Sequence, residues 1–268
     1  MPNFYADTHP GCVEESNEDS IGWDEDRQIW LVADGMGGHA KGEVASRLVK
    51  DTILEEVSRE LPLRQTVLDA HRVVAEAAKT NEGGAGMGST VVAVQINDQG
   101  CDVVWVGDSR AYLWSKGRLR RISRDHSFLE LLLANKAVTA AQAREHPKRH
   151  LVTQTLGMGE PSPDEEHVDL RKRDWLLLCS DGLHDELTDD EIADYLRRSG
   201  DPRQAVDNLI AAALNKGGRD NVSVVIVECE RGAHARGRRF EAHPQWKPIA
   251  LGIIGALVVF LLLEWLTT

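Results

Sequence analysis

The chain has 268 residues, 42% hydrophobic and 28% charged, with a formal net charge of −12. That composition supports one sizeable buried core, as a single domain or a domain with an appendage. The acidic excess excludes a general nucleic-acid binder, which needs clustered Lys and Arg; it fits a solvated acidic surface and a protein that spends carboxylates on cations equally well.

Cys12, Cys101, Cys179 and Cys229 are widely separated and form no C-x-x-C pair, so they read as reduced residues of a reducing compartment. The N-terminal stretch MPNFYADTHPGC has neither a basic nor an apolar region, and no secretory signal is expected. Residues 1–26 contain no Lys or Arg but hold Asp7, Glu14, Glu15, Glu18, Asp19, Asp24 and Asp26. A short strand over Ser20–Trp23 should pair with Ile29–Ala33 as a hairpin across the polar turn Asp24–Gln28. That pairing would bring Glu18 and Asp19 near Asp34, and carboxylates held together repel unless a cation sits among them.

The second strand runs into IWLVADGMGGH, where an apolar run ends abruptly in Asp34 and the glycines Gly35, Gly37 and Gly38. A carboxylate at a strand mouth is costly to bury unpaired. Two readings compete there: a dinucleotide fingerprint, Gly35-x-Gly37-x-x-Ala40, and a metal site with Asp34 as ligand. Apolar residues at Val44, Ala45, Leu48, Val49, Ile53 and Val57 predict a helix over Gly42–Leu61, which Pro62 breaks, and a second helix runs from about Leu63 to Asn81. The dinucleotide pattern needs a second strand ending in an acid about 20 residues past the glycines. Glu55 and Glu56 fall mid-helix instead, which counts against it.

Strands then follow one another without intervening helices, at Ser89–Ile96, Cys101–Val106, Arg110–Trp114 and Leu119–Ile122, implying an antiparallel sheet. Asp108 stands in the turn Gly107-Asp108-Ser109. Asp125–Gly159 reads as a mostly helical, polar insertion, with segments near Ser127–Ala134 and from Thr139 and the basic run Lys148, Arg149, His150; such an insertion either contacts substrate or is a solvated face. Strands follow at about Glu166–Asp169 and at Trp175–Cys179, the latter running into Ser180-Asp181-Gly182. Helices over Asp189–Arg198 and Pro202–Lys216 lead to Gly217-Gly218-Arg219-Asp220-Asn221 and a last strand, Val222–Glu228.

Asp34, Asp108, Asp181, Asp220, Glu18 and Asp19 thus gather at strand ends as oxygen donors without accompanying Cys or paired His, which favours Mg²⁺ or Mn²⁺ over Zn²⁺. So many negative groups call for more than one ion. A pair of such ions can lower the pKa of a shared water and polarise a phosphoryl oxygen, and hydrolysis of a phosphate ester follows.

The ordered motifs Asn17-Glu18-Asp19, Ala33–His39, Gly88-Ser89-Thr90, Gly107–Arg110, Ser180–Leu183 and Gly217–Ser223 resemble protein phosphatase 2C, the metal-dependent PPM serine/threonine phosphatases, in its bacterial form, over about residues 5–229. The resemblance implies an α+β fold: a four-layer α-β-β-α sandwich of two antiparallel sheets flanked by helices, with the metals at one end. It implies that Asp34 bridges two metals, that the Gly35 carbonyl binds one, and that Asp181 and Asp220 bind the other. Glu18 and Asp19 would be ligands directly or through water, and Asp108 a third-metal ligand shared with Asp181. His39 would be the general acid for the leaving hydroxyl, so Asp34, Asp181 and His39 form the expected catalytic group, with two or three Mn²⁺ or Mg²⁺ ions as cofactor. The stretch 125–159 matches the family's mobile flap. One position departs: the arginine expected five residues before the Asp19 position, to contact substrate phosphate, is Glu14, with Lys41, Arg47 or the flap's basic residues as substitutes.

The expected organisation is a catalytic domain over 1–230, a basic linker over 231–247 and a transmembrane tail anchor over 248–266. Ile249–Leu263 contains no charged residue, and with Glu264, Trp265 and Leu266 it approaches a spanning length, flanked by Arg231, Arg236, Arg238, Arg239 and Lys247 on the cytoplasmic side. A buried or partner-binding helix is the other reading of this segment. The expected activity is hydrolysis of phosphoserine and phosphothreonine on proteins that are substrates of a cognate serine/threonine kinase, at the cytoplasmic face of the inner membrane. The alternative is a catalytically weak, membrane-tethered phosphoprotein-binding module on the same scaffold.

Overall fold

The computed structural model describes residues 3–37, 40–57, 61–79, 86–135, 137–139, 142, 146–148 and 150–230, all within the first of two compact units, Met1–His234 and Ala235–Thr268. The expected linker and anchor, and His39, lie outside the described residues. Among the described residues no helix is long and apolar enough to cross a membrane.

The order is β1 (Asn3–His9), β2 (Asp19–Asp24), β3 (Ile29–Met36), α1 (Ala40–Val57), α2 (Leu63–Ala77), β4 (Gly88–Ser89), β5 (Val91–Asn97), β6 (Gly100–Val106), β7 (Arg110–Ser115), β8 (Arg118–Arg121), α3 (Phe128–Ala134), β9 (Asp164–Val168), β10 (Trp175–Cys179), α4 (Asp181–His184), α5 (Asp189–Arg198), α6 (Pro202–Lys216) and β11 (Val222–Glu228). One sheet has the strand order β1-β11-β10-β7-β8 and the other β2-β3-β5-β6-β9, with β4 beside β3, and every pairing is antiparallel.

The continuous apolar runs are explained by burial on both faces, which removes the alternation of a half-exposed strand. In β3, Ile29, Leu31 and Ala33 pack with Val49 and Ile53 of α1 and Val67 of α2. Trp30 and Val32 point the other way, into a layer shared with Leu176 and Leu178 of β10 and Val225 and Val227 of β11. Leu177, Val224 and Ile226 turn from that layer towards Ile192, Leu196, Val206 and Leu209 of α5 and α6. Three apolar layers between four structural layers make the expected α-β-β-α sandwich. Each buried aliphatic side chain contributes about 1.5–3 kcal/mol, so the sandwich is a rigid base for the loops at its ends.

The structure differs from the sequence expectation at several points. β1 was not foreseen: its pattern NFYADTH is mixed and only half-buried, and it becomes a strand because Asn3 to His9 pair in full register with Glu228 to Val222. The expected strand Ser89–Ile96 is two pieces, β4 and β5, separated at Thr90, whose N–H donates to the Asp34 carbonyl at 2.8 Å. The insertion has one described helix of any length, α3, capped by Ser127, whose Oγ accepts from the Glu130 N–H. Thr139 and Gln142 exchange hydrogen bonds, the Thr139 N–H donating to Gln142 Oε1 and the Gln142 N–H to Thr139 Oγ1; the rest of the expected segment lies largely outside the described residues.

Candidate metal centre

β2 and β3 form the expected hairpin, and their register sets Asp19 directly opposite Asp34. Three backbones meet just beyond. The Gly35 N–H donates to the Glu18 carbonyl at 3.1 Å, and a Cβ on Gly35 would lie 2.0 Å from the Gly42 carbonyl oxygen and 2.7 Å from that of Glu18. Only glycine fits there. A Cβ on Gly42 would fall 1.8 Å from Glu18 Oε2, so the missing side chain in the first turn of α1 makes room for that carboxylate. The partial positive charge of a helix N-terminus favours an anion in that place.

The second sheet supplies the opposite wall. β10 ends at Cys179, Ser180 precedes α4 without a side-chain capping bond, and Asp181 is the first residue of that helix. Gly182 allows the close approach, since a Cβ there would meet the Asn221 carbonyl at 2.1 Å. Asp220 precedes β11, and its Oδ1 accepts from the Asn221 N–H at 2.7 Å. Asp108 lies between β6 and β7, with its carbonyl accepting from His184 Nε2 at 3.1 Å. Both sheets therefore end their strands in carboxylates at the same end of the sandwich.

A cavity of about 530 Å³ opens there, lined by Glu14, Glu18, Asp34, Gly35, Asp108, Asp181 and Asp220 among others. Asp19 lies behind this wall, only 8% exposed, with its Oδ2 accepting from Ser180 Oγ at 2.7 Å and Ser223 Oγ at 2.6 Å. One carboxylate of the first sheet is thus tied to two hydroxyls of the second.

The electrostatics show what the chain leaves unanswered. Burial, with Asp19, Asp181, Asp108 and Asp220 adding repulsion, holds Asp34 well above the ordinary carboxylate range. Burial and the neighbouring Asp108, Asp220, Asp185 and Asp19 do the same to Asp181. Asp19 is pushed up to about 7 by burial, against its two serine bonds and with Asp220 and Glu18 repelling it. Asp108 rises to about 6, again by burial first, against the nearby His184. Asp181 Oδ1 is buried and has no hydrogen-bond partner. Buried carboxylates that repel one another, one with an orphaned oxygen, are stable as anions only when a cation joins them. The donors are hard oxygens, which suits Mg²⁺ or Mn²⁺.

Several contributors were not singled out from the sequence. Asn221 is the tie between the two walls: its Oδ1 accepts from the Glu18 N–H at 2.6 Å, and its Nδ2 donates to the carbonyls of Pro10 and Ser16, each at 2.9 Å. Asp185 and Glu186 line the cavity; the four-residue spacing of Asp181 and Asp185 in DGLHD was the available signal for the former. Of the described basic residues, Arg219 and His150 reach the wall, whereas Lys41 and Arg47 are not part of it. Arg219 is held by Glu186 through Nε at 2.8 Å and Nη2 at 3.1 Å. Glu14 stands on the wall where the family's arginine was expected.

This is the architecture of a metal-assisted phosphate hydrolase, and comparison with known proteins agrees. The family model for protein phosphatase 2C matches residues 13–216. A serine/threonine phosphatase stp of Listeria welshimeri is 33% identical over 245 residues, covering 86% of this chain and 96% of that protein. The crystal structure of the Mycobacterium tuberculosis serine/threonine phosphatase PstP/Ppp superposes with a TM-score of 0.78 at 33% identity, covering 86% of this chain and 99% of that one. A structure of the PstP catalytic domain in complex with two manganese ions gives a TM-score of 0.74 at 32% identity, covering 85% and 97%. The chain belongs to the protein phosphatase 2C family. By that membership it is a protein-serine/threonine phosphatase, a phosphoric monoester hydrolase that works with Mn²⁺ or Mg²⁺.

Proposed function

We propose that this phosphatase removes phosphate from phosphoserine and phosphothreonine on proteins phosphorylated by a membrane-linked serine/threonine kinase, working from the cytoplasmic face of the inner membrane. The observation that carries the catalytic part is the convergence of Asp34, Asp108, Asp181, Asp220 and Glu18 on one cavity, with Asp181 Oδ1 buried and unpartnered. Asp34 and the Gly35 carbonyl would hold one divalent ion, Asp34, Asp181 and Asp220 a second, and Asp108 with Asp181 a further one. When bound, these ions supply Lewis-acid polarisation of the phosphoryl group and a nucleophilic water at neutral pH.

The chain's own residues do the rest. Asn221 and the serine bonds to Asp19 fix the two walls relative to each other, so that the donors are positioned before substrate arrives. Glu18, set against the first turn of α1, completes the anionic wall. His39 would protonate the departing serine or threonine oxygen, which is a poor leaving group as an alkoxide. Glu14 gives the substrate phosphate no cation, and Arg219 is already engaged by Glu186, so bound ions would supply much of the positive charge facing the phosphate. The membrane placement rests on the apolar run 249–263 with its basic flank.

The test is Mn²⁺-dependent hydrolysis of p-nitrophenyl phosphate and of a phosphothreonine peptide by the full chain in detergent. The expected result is turnover that needs added Mn²⁺ and is abolished in Asp181→Asn. Wild-type protein that binds phosphopeptide without turning it over would instead establish the binding-module reading.

A further inference from the structure

The end of the sandwich away from the metal centre carries a cluster of the opposite charge. β10 runs from Trp175 to Cys179, just before Asp181, and β7 starts at Arg110, just after Asp108. The turns before β10 and after β7 therefore lie at the far end, about 20 Å away by strand length. Trp114 of β7 pairs with Trp175 of β10, which sets these two turns side by side. Exposed cations stand on both, Lys116 and Arg118 on one and Arg171, Lys172 and Arg173 on the other. These five make no ion pair among the described residues, whereas Arg120 and Arg197 beside them are engaged by Glu166 and Asp194.

The backbone of both turns is unusual for such residues. Lys116 and Arg173 have φ of 52° and 70°, in the left-handed region that glycine or asparagine ordinarily fills. Lys116 and Gly117, both at positive φ, form the two-residue hairpin loop in which Asn-Gly or Asp-Gly is the usual pair. A cation at each position thus costs backbone strain and gains no partner within the described chain.

The polypeptide also leaves the sandwich against the second turn. The Cys229 N–H donates to the Asp174 carbonyl and the Arg173 N–H to the Cys229 carbonyl, each at 2.8 Å. In the sequence Arg231, Arg236, Arg238 and Arg239 follow, and then the uncharged run 249–263. Of the acids at this end, Asp174 is buried, Glu228 accepts from Asn3 Nδ2 at 3.0 Å, and Glu25, Asp26 and Asp98 stand on turns of the other sheet. Cations that merely offset the net charge of −12 would need neither a place beside the chain exit nor a left-handed backbone.

We propose that the basic turns 115–118 and 171–173 rest on an anionic phospholipid bilayer, with the metal centre turned away from the lipid. The proposal rests on the membrane placement given above and adds which surface meets the membrane. Each Lys or Arg near an anionic surface favours contact roughly fivefold, and five act together here. The acidic turns of the other sheet would be repelled, which tips the domain onto its basic side. The metal centre then serves phosphorylated segments that extend away from the bilayer rather than ones lying on it.

The test is amine acylation of the full chain in vesicles of phosphatidylcholine, alone or mixed with phosphatidylglycerol, read at each lysine by mass spectrometry. Lys116 and Lys172 should react at least about fivefold more slowly when phosphatidylglycerol is present, and high salt should remove the difference. Lys79 and Lys216 should react alike in both. The triple variant Arg118→Gln, Arg171→Gln, Arg173→Asn should lose most of the slowing while keeping its Tm and its Mn²⁺-dependent hydrolysis of p-nitrophenyl phosphate, since asparagine suits the left-handed position. Equal rates at Lys116 and Lys172 in the two vesicles, slowing that falls on Lys216 instead, or slowing unchanged in the variant overturns this proposal and leaves the membrane placement standing. A full chain that enters neither vesicle overturns the placement and this proposal with it.

Discussion

Two groups of buried carboxylates meet at the end of this sandwich, and burial treats them alike while the chain does not. Asp125 is buried beside Arg110, which grips it through Nε at 3.0 Å and Nη2 at 2.6 Å. Burial alone would raise the Asp125 pKa, but Arg110, with His184 and Arg121 assisting, holds it below the ordinary value. Asp34, Asp181, Asp19 and Asp108 shift the opposite way, because burial raises them and neighbouring carboxylates add to it. The first group has its counter-ion built into the chain. The second reserves that place for a cation from solution, and that reservation separates a structural ion pair from a metal centre.

Breaking the internally answered pair should have the largest effect on stability. Arg110→Met would leave Asp125 buried with only the longer contact to Arg121 at 3.6 Å, at up to about 3–5 kcal/mol. Calorimetry should show a Tm about 10 °C lower, with or without Mn²⁺, given roughly 2–4 °C per kcal/mol for a domain of this size. A Tm that Mn²⁺ restores would mean that the pair belongs to the metal centre after all.

Loosening the other group should show in metal affinity as well as stability. Asn221→Ala removes the bonds to the Glu18 N–H and to the Pro10 and Ser16 carbonyls. The expected loss is about 1–3 kcal/mol in unfolding free energy, and Mn²⁺ affinity measured by titration calorimetry should fall about 10–100-fold. Unchanged affinity would show that the walls hold their positions without this tie.

The smallest effect is expected at the rim. Glu14→Arg restores a cation facing substrate, and an exposed charge pair contributes up to about 1 kcal/mol. Steady-state kinetics on a phosphopeptide should therefore show KM lowered by up to about fivefold, with kcat little changed. An unchanged or higher KM would mean that the Glu14 position does not face the bound phosphate.

The pattern of strands around the metal centre was legible because β3, β10 and β11 are buried on both faces, so their sequences are largely apolar runs with an Asp at or just beyond one end. The Asp19–Asp34 juxtaposition followed from one hairpin and its short polar turn. Long-range dependence hid the rest. β1 carries too little apolar pattern to announce itself and exists through its register with β11. Ser180 and Ser223 read as ordinary small polar residues until two sheets bring both to Asp19. His150 looked like one member of a basic run, and only the path of the insertion sets it against Asp185. The resemblance to the phosphatase family named the motif residues, while the structure brings Asp34, Asp108, Asp181 and Asp220 to one cavity and gives Asn221 the bonds that hold the walls together.

The central claim is that the raised carboxylates await a cation, and it has a signed consequence for pH. In the metal-free fold Asp19 keeps its proton up to about pH 7, whereas its ordinary value is 3.8. The folded state therefore binds more protons than the unfolded chain between those values, and the metal-free protein loses stability as pH rises through that window. Asp125 slopes the other way, its contribution being present above the ordinary value and lost only in stronger acid. The decisive measurement is Tm against pH, from about 5 to 7.5, for EDTA-stripped and Mn²⁺-loaded full-length protein. The account predicts that the stripped protein melts earlier as pH rises and that the Mn²⁺ increment grows with pH, because the ions replace protons that the folded centre would otherwise hold. A Tm that rises with pH without metal, or a Mn²⁺ increment that is absent or independent of pH, would contradict it.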